Sequence, residues 1–109
     1  MMADSNHEKV VMMGTFSCRD GESEAMDRVL TEMVAASADE PGVEQYSYHR
    51  GPGNRYWFFA VMANAEAAEN HGRTQGMQNA MQAFGPLVDE PPQVTPLTPV
   101  AAFGWGPGH

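Results

Sequence analysis

The run RYWFFAVM at 55–62 is the densest apolar and aromatic stretch in the chain. A run of this length, rich in aromatic and branched side chains and fenced by turn residues, predicts a strand. Its neighbours are fixed by punctuation. Upstream, RGPGN at 50–54 reads as a hairpin connection, which makes VEQYSYHR at 43–50 the partner strand. Before that strand, Pro41-Gly42 ends whatever helix precedes it, because a residue ahead of proline is pushed out of the α region. The aromatic run therefore belongs at the centre of a sheet.

The flanking segments complete the order. VVMMGTFSC at 10–18 mixes β-branched, aromatic and small residues and stops at Asp20-Gly21, as a strand does. Ser23 is a candidate N-cap, and Met26, Val29, Leu30, Met33 and Val34 then recur on one helical stripe. A second helical segment is predicted over 65–88, patterned by Met77, Ala80, Met81, Phe84, Leu87 and Val88 and weakened in its middle by Gly72 and Gly76. The stretch from 91 to 104, with four prolines, predicts an irregular edge strand. The order β-α-β-β-α-β is the α+β, ferredoxin-like arrangement of an antiparallel sheet under two helices. Alternation in the second strand places Val43, Gln45, Ser47 and His49 on one face and Glu44, Tyr46, Tyr48 and Arg50 on the other. Neither face is fully polar, so a second copy of the chain is expected to pack sheet to sheet. Residues 1–9 and 104–109 read as flexible ends around a domain at 10–103, with Trp105 a candidate contact to a neighbouring subunit.

Composition narrows the partners. With 109 residues, the chain is sized for one domain that buries about 65% of its unfolded surface. Fourteen acidic against six basic residues give a net charge of −8, which repels nucleic acid and anionic membrane, so a small molecule or a protein is the expected partner. No apolar run approaches the roughly 18 residues of a membrane helix. A single cysteine, Cys18, excludes an internal disulfide, and the default expectation is a cytoplasmic protein. No metal-ligand spacing, phosphate loop or hydrolase triad occurs. Nine methionines are either core fillers or the plastic wall of an apolar pocket.

Two runs carry a family resemblance. EPGVEQYSYHRGP at 40–52 resembles the helix exit, second strand and hairpin of the antibiotic biosynthesis monooxygenases, and YWFFAVMANAEAAENHGRTQGMQNAMQAF at 56–84 resembles their third strand and second helix. With the first strand and helix the resemblance spans residues 10–103. It implies a dimeric α+β barrel with a ligand cavity between helices and sheet. It also implies oxidation of an aromatic quinol, phenol or polyketide-like molecule by molecular oxygen without a cofactor. His71 falls where most members carry a histidine, so it is the candidate catalytic base, its pKa class suiting proton transfer near neutrality. Tyr46, Tyr48, Phe58, Met62, Met77 and Met81 are the candidate substrate-binding residues, each also readable as core. The chain departs from the family at several places. Ala60 and Met62 stand where Glu and Trp are common, Gly76 replaces a second histidine, and Phe58 aligns with an asparagine of the anthrone oxidisers. The first strand lacks the asparagine of haem-cleaving members and Met81 stands about where their axial histidine falls, so haem is not expected. These departures keep open a non-catalytic binding protein, or a lyase or isomerase on the same barrel.

Overall fold

The structure, a computed structural model, describes residues 9–104. Four strands, β1 (Val10–Ser17), β2 (Val43–Arg50), β3 (Arg55–Met62) and β4 (Gln93–Leu97), pair antiparallel in the order β2-β3-β1-β4. Three helices, α1 (Ser23–Ser37), α2 (Ala65–Arg73) and α3 (Gln75–Phe84), follow β1 and β3. This is the expected α+β, ferredoxin-like fold, with the aromatic run as an inner strand. Among the described residues no helix is long and apolar enough to cross a membrane.

The pleat divides β3 into two sets. Tyr56, Phe58, Ala60 and Met62 face the helices, whereas Trp57 and Phe59 alternate onto the opposite face. Phe16 anchors the core: its ring stacks on Tyr56 with centroids 5.3 Å apart and meets the edge of Phe84 at 5.0 Å. Helix α1 covers this cluster with Met26, Val29, Leu30 and Met33, spaced to lie along one stripe. Two close approaches set the layer spacing. A Cβ on Gly14 would lie 2.1 Å from the Phe58 ring, so only glycine lets that ring lie across β1. Gly42 has φ +89° and would carry a Cβ 2.6 Å from that of Ala67, so the turn into β2 requires glycine twice over.

Several local expectations change. The second helix is two helices, broken at Thr74 rather than at either glycine, because the Thr74 side chain accepts a hydrogen bond from the Met77 N–H and starts α3 afresh. Ser23 is the first helical residue of α1, and the cap position, Glu22, makes no side-chain cap bond. In β2, Val43 pairs with Met62 and Gln45 with Val61, so a bulge at Glu44 separates Val43 from Gln45, Ser47 and His49. Val43 packs instead with Tyr46 against Ala60, Met62 and Ala67. Glu44 so displaced receives Lys9, whose buried ammonium lies 2.6 Å from its Oε1. Trp105, His7 and His109 lie outside the described residues.

Candidate functional site

Helix α1 and edge strand β2 diverge to leave a cleft of about 570 Å³. Leu30, Thr31 and Val34 of α1 form one wall, and Tyr46, Tyr48 and Arg50 of β2 the other, with Tyr56 and Asp27 at one end. A smaller cleft of about 190 Å³ adjoins it, sharing Val34 and Tyr46. The combination follows from two periodicities. Asp27, Leu30, Thr31 and Val34 lie at i, i+3, i+4 and i+7, beside the buried stripe of α1. Tyr46, Tyr48 and Arg50 alternate along β2 and so share its helix-facing side.

The tyrosine wall is polar at its tips and apolar in its body. The hydroxyls of Tyr46 and Tyr48 lie 2.7 Å apart in a hydrogen bond, and the rings meet edge to face at 5.2 Å. Burial pushes both phenols above the usual tyrosine range, so each keeps its proton at neutral pH. They can donate hydrogen bonds and present ring faces, but they do not serve as bases. Behind them Tyr48 contacts the Phe58 ring at 5.5 Å, and Tyr46 meets the edge of His71 at 4.9 Å.

At the other end, the Tyr56 hydroxyl donates to Asp27 Oδ1 at 2.6 Å, and Arg50 Nη2 lies 3.3 Å from Asp27 Oδ2. Burial, then the hydrogen bond to Asp27, raises the Tyr56 phenol well above its ordinary value, so this proton also stays on the tyrosine. Arg50 and Tyr56 are cross-strand partners, which is why both reach the same carboxylate.

The expected site residues therefore separate. Tyr46 and Tyr48 line the cleft. His71 stands behind Tyr46, buried in the last turn of α2, with Nδ1 3.0 Å from Glu40 Oε1 and 3.4 Å from Ser37 Oγ. The Ser37 hydroxyl donates to the Met33 carbonyl at 3.0 Å. Glu40 Oε2 is buried and has no hydrogen bond among the described residues. Phe58 is packed against the core, Met62 is wholly buried beside Ala60 and Ala67, and Met77 is buried with α1 and Phe16. Met81 points outward, 47% exposed. Cys18 is buried and its thiol donates to the Arg19 carbonyl, with burial raising its pKa, as suits a structural thiol. Residue patterns missed Asp27, Arg50 and Tyr56 as a group. The readable signal was the hairpin at 51–54, about which Arg50 and Tyr56 are nearly symmetric.

The sequence pattern of antibiotic biosynthesis monooxygenases matches residues 9–83, most of the chain. The protein belongs to the antibiotic biosynthesis monooxygenase family. Solved structures share its fold. A provisionally assigned antibiotic biosynthesis monooxygenase from Caulobacter crescentus CB15 superposes with a TM-score of 0.81 at 22% identity, covering 87% of this chain and 92% of that one. One of the same provisional assignment from Nitrosomonas europaea gives 0.83 at 15% identity, covering 90% and 96%. Rv0793 from Mycobacterium tuberculosis gives 0.79 at 22% identity, covering 86% and 97%. At these identities the likeness establishes the fold. No curated protein matches the sequence.

Proposed function

We propose that the protein is a monooxygenase that binds a flat, hydroxylated aromatic molecule in the cleft between α1 and β2 and oxidises it with molecular oxygen. The reaction needs no cofactor held by the protein. The observation that carries this reading is the cleft itself, whose aromatic wall ends in protonated phenols while its opposite wall sets Leu30 and Val34 about Thr31. Such a slot suits a ring system bearing hydroxyl groups: apolar faces are desolvated between Leu30, Val34 and the tyrosines, and the ligand's oxygens meet hydrogen-bond donors. Family membership supplies the reaction class.

The chemistry asks little of the protein. A phenol that loses its hydroxyl proton gains electron density at the ring carbon opposite, and that carbon forms a bond to oxygen as an electron passes to it. Loss of the hydrogen on that carbon as the O–O bond cleaves leaves one oxygen as a quinone carbonyl and releases the other as water. Phenol and O₂ thus become quinone and H₂O. Binding, orientation and one proton transfer are the protein's share. In this reading His71 positions Tyr46: Glu40 holds its Nδ1, and its ring fixes the tyrosine from behind. The face of the sheet away from the helices, with Met13, Trp57 and Leu97 about 40% exposed, is the surface on which a second copy packs.

The direct test is oxygen consumption with a panel of two- and three-ring phenols, with and without chelator. Uptake that persists in chelator and falls at least tenfold in Leu30→Trp, which fills the cleft, is expected. Uptake equal to buffer with every member of the panel contradicts the reading.

A further inference from the structure

We propose that Asp27 is the group that takes the hydroxyl proton of the substrate, held for that task by Tyr56 and Arg50; the inference rests on the cleft being the substrate site. Three observations converge on it. Asp27 is the carboxylate that the cleft presents, at the end of the tyrosine wall. Its Oδ1 is occupied by the Tyr56 hydroxyl at 2.6 Å, which fixes the plane of the carboxylate. Among the described residues its Oδ2 meets one guanidinium nitrogen, at 3.3 Å and on the half-exposed side, so it has room to accept another donor. A base whose orientation is set by one neighbour and whose second oxygen opens on the pocket is the arrangement proton transfer requires.

The other groups reaching the cleft are unsuited. Tyr46, Tyr48 and Tyr56 keep their protons at neutral pH, and Arg50 is a cation with donors only. His49 lines the cleft, but it is exposed and its Nε2 is 2.9 Å from Ser47 Oγ. His71 is walled off behind Tyr46.

In the proposed step the substrate O–H bond breaks and an O–H bond forms at Asp27 Oδ2, the electron pair remaining on the substrate oxygen. As the O–O bond breaks, the ring C–H bond at the oxygenated carbon breaks too, its electron pair completing the quinone carbonyl and its proton going to the departing oxygen as hydroxide. The proton held on Asp27 returns to that hydroxide, so water departs and the carboxylate is restored. Oxygen is the sole oxidant. Arg50, beside Asp27, faces the substrate oxygen as charge develops there.

Charged and titratable groups face Asp27 from β2, β3 and the end of β1, whereas α3, also packed on α1, carries none. Arg50 comes from β2, Tyr56 from β3, and Cys18 from just beyond β1. These fix the expected pH behaviour, which a nitrophenol can report because its visible absorbance shows whether the bound hydroxyl is ionised. With Asp27 Oδ2 as acceptor, wild-type protein is expected to bind 4-nitrophenol as the neutral phenol. Affinity is then lost as pH rises through the ligand's own ionisation, since the phenolate meets the Asp27 charge. Asp27→Asn keeps an oxygen for Tyr56, so it should fold, and thermal unfolding checks this. It should lose the preference by at least tenfold and hold the phenolate beside the freed Arg50. Glu32→Gln, an exposed carboxylate of α1 outside the cleft, should retain wild-type behaviour. An unchanged pH dependence in Asp27→Asn, or its loss in Glu32→Gln, overturns the assignment of Asp27 while leaving the cleft as the site. No binding of 4-nitrophenol to wild type overturns both.

Discussion

His71 has one nitrogen committed to Glu40 and its ring set edge to face with Tyr46, so removing it should be felt first in packing. His71→Ala is expected to lower stability by about 1 to 3 kcal/mol, the cost of losing a buried hydrogen-bonded group. Oxygen uptake should fall by less than about tenfold. Urea unfolding and turnover on the one variant check this; a rate loss of about 10² to 10⁴ with unchanged stability would instead make His71 the base. At this scale the sequence was only partly readable. Tyr46 and Tyr48 declared themselves, because alternation alone sets two aromatics on one face. Asp27 did not, because a single carboxylate between Met26 and Arg28 on an amphipathic helix looks like any solvated residue. Its significance arises when the hairpin register brings Arg50 and Tyr56 opposite it.

The elements were legible wherever glycine and proline interrupt apolar pattern. Pro41-Gly42 and RGPGN bracket β2, and both the hairpin and the preceding helix end where those residues require. What pattern alone did not reveal was the bulge at Glu44, which sets Val43 against Ala60, Met62 and Ala67 while Glu44 meets Lys9. The break at Thr74 was masked by two nearby glycines that seemed sufficient cause. The tight passage from α1 into β2 at Gly42 gives the element-scale test. Gly42→Ala combines a left-handed backbone with a Cβ that would meet Ala67 at 2.6 Å, and it should cost at least about 2 kcal/mol. Adding Ala67→Gly should recover the steric part and leave the backbone part. Equal urea midpoints for wild type and Gly42→Ala would show that the turn is not so constrained.

For the whole molecule, the order β2-β3-β1-β4 puts one face of the sheet under the helices and leaves the other with Met13, Trp57 and Leu97 in water. Pairing of two copies across that face is expected to give a scattering mass of twice the chain. A monomer at micromolar concentration would contradict the pairing and leave the fold untouched. The helix-covered face has a separate role: it supports the tyrosine wall that faces α1 across the cleft. The decisive measurement follows the oxygen atoms. With ¹⁸O₂ and an accepted two- or three-ring phenol, one labelled atom is expected in the quinone and the other in water, with formation blocked in Leu30→Trp. Quinone without label, or the same yield from the blocked cleft, would contradict oxygenation in the cleft between α1 and β2.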